Sequence, residues 1–136
     1  MPIGATMKFL VRTFFKTLRL VLGPLMLLWE FVTRPKGIIR PPVVQQMVDA
    51  ECRKLALYQF KTCPFCIKVR QEMRRLSLNI ETFDAQFDEG RRNELMRGGG
   101  EIKVPCLRIT DESGTVQWMY ESGAIINYLR QRFPAA

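Results

Sequence analysis

Two cysteines, Cys63 and Cys66, stand where a short apolar run meets an amphipathic segment, and this arrangement constrains the fold more than any other feature. Residues 55–60 are apolar on both faces, as expected for a central strand that is covered on each side. Residues 64–76 follow with helical periodicity, their inward positions being Phe65, Val69, Met73 and Leu76. The sequence therefore predicts a strand that leads directly into a helix.

The cysteine pair predicts redox chemistry. Cys63 occupies the expected N-cap, Pro64 suits the first helical position, and Cys66 comes one turn later. The positive end of a helix stabilises a thiolate, which is the species that attacks disulfides. We expect the exposed Cys63 to attack and the deeper Cys66 to resolve, with Lys61 favouring the ionised form. A zinc half-site and an inert disulfide are alternatives, although only this pair has the usual close spacing of zinc ligands.

The remainder of this region predicts a small α/β domain of order βαβαββα. A second strand covers residues 80–83, and Asp88 can cap a helix that ends at Arg97, before three glycines. Strands at residues 104–110 and 115–120 are joined by a turn-rich tetrapeptide that suggests a hairpin. A last helix runs from Ser122 to about Arg132.

Two shorter motifs could bind a peptide-like ligand. Val104-Pro105 begins the third strand, where a cis bond would turn the Val104 backbone outward to pair with an extended thiol peptide. Glu121 and Ser122 begin the last helix, where a hydroxyl and free N–H groups suit a carboxylate and Glu121 suits an ammonium. The alternatives are a proline tolerated at a strand start and an ordinary Ser N-cap. Cys106 is expected to be a small buried hydrophobe.

Together these residues resemble the glutaredoxin family, in the branch similar to the N-terminal domain of glutathione S-transferases. The resemblance covers about residues 54–133 and depends on three motifs, which are Leu57 to Cys66, Lys103 to Leu107, and Met119 to Leu129. It implies a thioredoxin-like fold that uses glutathione. By this resemblance Cys63 forms the mixed disulfide, Val104 beside Pro105 holds the cysteine backbone of glutathione, and Glu121 with Ser122 holds its γ-glutamyl end.

One position departs from the family pattern. Phe60 stands where many glutaredoxins have the lysine that binds the glycyl carboxylate of glutathione. Lys61 or Lys103 could take that role.

The N-terminal segment predicts a membrane-associating helix over about residues 7–32. Four cations, Lys8, Arg12, Lys16 and Arg19, share one helical stripe beside a wide apolar face, which suits an anionic membrane surface. Residues 20–29 are uncharged but too few for a comfortable span, and Gly23-Pro24 would kink or break the helix. We therefore favour a monotopic or re-entrant anchor over a short tilted pass. A core helix that docks on its own domain is a further alternative.

Composition limits the remaining possibilities. The 136 residues carry a net charge of +8 and contain no histidine, which excludes His-dependent triads and His-containing zinc sites. Residues 1–50 have seven Lys+Arg against two acids, so the excess charge tracks the apolar N-terminus and does not indicate a nucleic-acid surface. Residues 34–42 resemble a stiff basic linker, which gives an N-terminal segment over 1–50 and a folded domain over 51–136.

The leading hypothesis is a membrane-tethered, glutathione-dependent thiol-disulfide oxidoreductase that reduces protein or glutathione mixed disulfides. No metal is expected, and the redox domain should face the reducing cytoplasmic side. Two alternatives are a module that holds an iron–sulfur cluster, and a glutathione-dependent isomerase or transferase similar to the membrane-associated prostaglandin E synthases.

Overall fold

The computed structural model describes residues 3–134, which divide between Thr33 and Arg34 into two compact units. The first unit is one helix, α1 (Ile3–Val32), and most of the large apolar side chains of residues 4–32 are exposed. Of the kink or break predicted at Gly23-Pro24, the break is absent, because the helix continues through Pro24. None of the helices in the described part of the chain combines the length and apolar character needed to cross a bilayer.

The second unit contains a four-stranded sheet of order β2-β1-β3-β4. Its strands are β1 (Leu55–Gln59), β2 (Glu81–Asp84), β3 (Cys106–Thr110) and β4 (Val116–Tyr120). Its helices are α2 (Pro42–Cys52), α3 (Pro64–Arg75), α4 (Glu89–Gly99) and α5 (Ser122–Arg132). β1 runs parallel to β2 and antiparallel to β3, which in turn pairs antiparallel with β4. From β1 to α5 the order is βαβαββα, as predicted.

The sheet separates two apolar cores because successive strand residues point to opposite faces. One face carries Leu57 and Leu107, which pack with residues of α3 and α5, namely Val69, Met73, Ile125 and Leu129. The other face carries Tyr58, Phe83 and Cys106, which pack with Leu95 of α4. β1 is buried along its whole length, in agreement with the central position predicted for it.

Residues 38–52 belong to the second unit, although the sequence predicted a linker over residues 34–42 and a domain boundary near residue 50. Ser77 Oγ donates to the carbonyl of Ile38 (2.6 Å), and Arg40 Nη1 donates to the carbonyl of Leu76 (2.6 Å). α2 follows, and its Cys52 is fully buried in the core. The compact unit therefore begins at Arg34, well before the predicted boundary near residue 50. The Arg40 guanidinium lies at the C-terminal end of α3, where a positive charge is favoured by the negative end of the helix dipole.

The end of α4 also differs from the prediction. Asp88 is the N-cap as expected, its carboxylate accepting from the N–H of Arg91 (3.2 Å). The helix does not end at Arg97 but continues to Gly99, and Gly100, with a left-handed φ of 86°, is its C-cap. Residues 98 and 99 lie against β4 and have no room for side chains. A Cβ at Gly98 would lie 2.0 Å from Cζ2 of Trp118, and one at Gly99 would lie 1.9 Å from Oη of Tyr120.

Candidate active site

The cysteine pair lies at the start of α3, where the sequence predicts it. Cys63 is the N-cap, Pro64 is the first helical residue, and the carbonyl of Cys63 accepts from the N–H of Ile67 (3.0 Å). Cys63 is half-buried, whereas Cys66 is fully buried, and both are free thiols. Burial, together with the neighbouring Cys63, raises the pKa of the Cys66 thiol. The two sulfurs thus differ in access to a substrate, in the order predicted for an attacking and a resolving thiol.

Phe65, between the two cysteines, lies outside the core. Its side chain is 57% exposed, which contradicts its assignment to the inner face of the helix. Helical periodicity places Phe65 and Val69 on one face, but only Val69 lies over the sheet and is buried. The first turn of α3 therefore presents an aromatic ring to the surroundings of Cys63.

Arg70, which belongs to none of the predicted motifs, holds the turn that leads to Cys63. Its guanidinium donates to Oε1 of Gln59 (2.8 Å) and to the carbonyls of Lys61 (2.8 Å) and Phe60 (3.4 Å). These carbonyls belong to the connection between β1 and α3. The available signal was an arginine next to the inward-facing Val69, because a partly buried charge needs nearby acceptors.

The predicted cis peptide bond joins Val104 to Pro105. Pro105 is buried directly before β3. Cys106 pairs with Tyr58 of β1 on one side and with Tyr120 of β4 on the other. The register therefore brings the cis bond between the end of β1, which leads to Cys63, and the residue after β4, which is Glu121.

Glu121 is the N-cap of α5 and has a left-handed φ of 75°, which is uncommon for a residue with a side chain. Its side chain makes no capping hydrogen bond, and Ser122 is the first residue of the helix. The alternative of an ordinary Ser122 N-cap is therefore wrong. Oε1 of Glu121 instead accepts from Nζ of Lys103 (2.8 Å), an ion pair that lowers the pKa of the Glu121 carboxyl.

The remaining two thiols are buried away from solvent. Burial raises the pKa of Cys106 to about 12 and that of Cys52 to about 11. Cys106 packs beneath Tyr120, whose hydroxyl donates to the carbonyl of Glu101 (2.9 Å). Cys106 is thus a small buried hydrophobe, as predicted.

The sheet order, the cis-proline and the cysteine pair at the start of α3 define a thioredoxin-like domain. Residues 55–113 match the sequence profile of the Glutaredoxin family. The matched residues include Cys63, Cys66 and the cis Val104–Pro105 bond.

One curated relative is prostaglandin E synthase 2 of Mus musculus, which is 36% identical over 77 residues. The match covers 57% of this chain and 19% of that protein, so the chain spans about a fifth of the relative's length.

Solved structures with a similar fold include two larger proteins. Maleylacetoacetate isomerase of Anaeromyxobacter dehalogenans, with GSH bound in its active site, is 21% identical over 60% of this chain and 38% of its own, with a TM-score of 0.46. Glutathione transferase Omega 2C of Trametes versicolor is 20% identical over 60% of this chain and 39% of its own, with a TM-score of 0.48.

Proposed function

We propose that this protein binds glutathione and catalyses thiol–disulfide exchange through Cys63, reducing protein or glutathione mixed disulfides. The observation that carries the proposal is the half-buried Cys63 at the N-terminus of α3. It lies one turn from the buried Cys66, at the end of the central strands where the cis Val104–Pro105 bond precedes β3. Because Cys63 is partly exposed, its sulfur can reach a substrate, whereas the buried Cys66 sulfur is shielded from solvent. The match of residues 55–113 to the Glutaredoxin family supports the same chemistry.

Glutathione would lie along the edge formed by the cis-proline and the start of α5. The backbone of Val104, preceding Pro105, would pair with the cysteine of the tripeptide. The first N–H groups of α5 and the Ser122 hydroxyl would hold the γ-glutamyl carboxylate, with the Glu121 carboxylate near its ammonium. Because Lys103 is paired with Glu121, we assign the glycyl carboxylate to Lys61, which is exposed in the turn before Cys63.

The reaction would proceed by two exchanges. The Cys63 thiolate attacks the glutathione sulfur of a mixed disulfide, and the protein thiolate leaves and takes up a proton. A second glutathione, as its thiolate, then attacks the Cys63–glutathione bond, which forms oxidised glutathione and restores the Cys63 thiolate. Alternatively, Cys66 gives up its proton and attacks Cys63, forming the Cys63–Cys66 disulfide and releasing glutathione. Its raised pKa makes this internal route the slower one for glutathione mixed disulfides.

The test compares two single variants in a glutathione and glutathione reductase assay with a glutathionylated protein substrate. We expect Cys63→Ser to abolish turnover and Cys66→Ser to retain it. Circular dichroism of both variants controls for folding. Turnover that survives in a folded Cys63→Ser protein would exclude the proposed mechanism.

A glutathione-dependent isomerase or transferase is the second candidate, favoured by the 36% identity to a protein named prostaglandin E synthase 2. The two activities differ in redox balance. Disulfide reduction converts glutathione to its oxidised form, whereas an isomerisation consumes none and a transfer incorporates it into the product. Measuring oxidised glutathione formed per product therefore distinguishes them.

We further propose that α1 attaches the domain to an anionic membrane surface, with the domain on the cytoplasmic side. Its exposed apolar side chains and the basic stripe of Lys8, Arg12, Lys16 and Arg19 support attachment. A reducing pool of glutathione supports the cytoplasmic side. A redox-sensitive fluorescent reporter fused after Ala136 would test that orientation.

A further inference from the structure

A cleft lies on the second unit between residues 37–40 and the C-terminal half of α3. It has a volume of about 740 Å³, within the range of small-molecule sites. None of the described lining residues is acidic, and three are arginines, namely Arg40, Arg70 and Arg74. This cleft is distinct from the edge that we assign to glutathione.

The arginines differ in what they already bind. Arg70 holds the turn before Cys63, as described above. Arg40 uses Nη1 for Gln45 and for the carbonyl of Leu76, but its Nη2 is buried without an acceptor among residues 3–134. For the half-buried Arg74, the same part of the chain supplies neither a hydrogen bond nor an ion pair for the side chain. Two guanidinium groups at this cleft therefore have donors to offer an anion.

The polar lining indicates the kind of molecule that would carry the anion. Asn79 donates Nδ2 to Asp49, which leaves its carbonyl oxygen to accept, and Ser77 and Thr82 contribute hydroxyls. Asp49 also accepts from Gln45, so this acid is held by two lining side chains. The cleft exceeds what one phosphate would fill, and acceptors beside arginines suit a ligand that bears both phosphate and hydroxyl groups.

We propose that this cleft binds the phosphorylated polyol group of a sugar phosphate or an inositol phosphate, with Arg74 and Arg40 contacting phosphate and Asn79 contacting a hydroxyl. Arg40 Nη2 gains its acceptor when the guanidinium turns toward the cleft. The ligand could be soluble or could be the headgroup of a phosphoinositide lipid. The proposal does not depend on the redox function, and neither outcome below requires Cys63.

The first measurement is calorimetric binding of inositol trisphosphate to the full chain in neutral detergent micelles. We expect Arg74→Gln to weaken binding about tenfold, the loss of one charge-assisted contact. Arg97→Gln, an exposed arginine on α4, is the matched control and should bind as the unaltered chain does. Arg40→Gln should also weaken binding, and its thermal unfolding shows whether the Leu76 contact is needed for folding. Absence of binding, or equal weakening by Arg97→Gln, would overturn the proposal.

The second measurement separates the two sources of the phosphate. Phosphatidylcholine vesicles are compared with vesicles that contain phosphatidylinositol bisphosphate and with vesicles of equal charge made with phosphatidylserine. If the chain binds phosphoinositide vesicles more tightly than phosphatidylserine vesicles, and Arg74→Gln removes this difference, the ligand is the lipid headgroup. If inositol trisphosphate binding depends on Arg74 but the two kinds of anionic vesicle are bound equally, the ligand is a soluble phosphate. If neither measurement depends on Arg74, the cleft is not the site.

Discussion

Nζ of Lys103 lies 2.8 Å from Oε1 of Glu121, so the carboxylate assigned to the ammonium of glutathione is already paired with a cation of the same chain. Lys103 precedes the cis Val104–Pro105 bond, and Glu121 precedes α5, so the pair joins the two sides of the proposed binding edge. Both side chains are more than half exposed. An incoming ammonium must therefore compete with Lys103.

Replacing Lys103 tests this competition. We expect Lys103→Met to lower the KM for glutathione a few-fold, because Glu121 becomes available, while kcat changes little. Glu121→Gln should raise the KM instead. Steady-state kinetics with varied glutathione measure both, and Lys68→Met, an exposed lysine of α3, is the control. A higher KM in Lys103→Met would mean that Lys103 itself binds glutathione.

Arg70 should act as a positioning residue. We expect Arg70→Met to lower kcat/KM about tenfold, because the carbonyls of Phe60 and Lys61 lose their donor and the turn before Cys63 is no longer held in place. The rate of Cys63 alkylation by iodoacetamide should change in the same variant. Unchanged alkylation together with lowered stability would assign Arg70 a purely structural role.

Glu72 should make stability depend on acidity. Burial alone would raise the pKa of this carboxyl, but hydrogen bonds from Arg75 and Arg130 outweigh burial and lower it to about 2. Because the folded pKa lies below the ordinary value of 4.5, the stabilisation is complete above that value and is lost as the pH falls toward 2. The contribution of the Glu72 carboxylate to the free energy of unfolding is at most about 3 kcal/mol.

Urea unfolding, followed by tryptophan fluorescence at neutral and acidic pH, measures this effect. Glu72→Gln should be less stable at pH 7 and should show a smaller loss of stability on acidification. Glu112→Gln, an almost fully exposed carboxylate, is the control. Identical pH profiles for Glu72→Gln and the unaltered chain would contradict the assignment.

The glycines at the end of α4 should tolerate no side chain. We expect Gly98→Ala to destabilise the domain by about 1–3 kcal/mol, because its Cβ would overlap Trp118. Gly123→Ala in α5 has open space around it and should be neutral or slightly stabilising. Thermal unfolding compares the two, and equal effects would show that helix propensity, not contact with β4, determines the result.

The basic stripe of α1 should control attachment to anionic vesicles. Replacing Lys8, Arg12, Lys16 and Arg19 with glutamine removes about 1 kcal/mol of attraction per charge. We expect binding to phosphatidylserine vesicles to fall steeply, whereas binding to phosphatidylcholine vesicles should change little. Co-flotation measures both, and equal loss on the two surfaces would mean that the substitutions disturb the helix itself.

The order of elements from β1 to α5 could be predicted because each strand is a short apolar run that ends in turn-forming residues. The position of the cysteine pair at a helix start could be predicted because Pro64, directly after Cys63, suits the first residue of a helix. Phe65 was misassigned because periodicity identifies a face of a helix but not how far the sheet extends beneath it.

The helix α2 was missed for a different reason. Its contact with the core involves few residues, chiefly Val48 and Cys52, while Val43 and Met47 are exposed. The preceding prolines and cations are typical of a linker, and the hydrogen bonds that hold this segment come from the distant end of α3. The pattern of residues within this segment does not indicate contacts with residues so distant along the chain.

The unequal burial of the cysteines makes the unaltered chain suitable for selective labelling. Cys52, Cys66 and Cys106 are fully enclosed, and the half-buried Cys63 is the accessible sulfur among the four. A maleimide dye or spin label added briefly at neutral pH should therefore mark one known position, next to the proposed glutathione edge, without any engineered cysteine. Spectroscopic distances measured from that position would report on docking of substrates to the native protein.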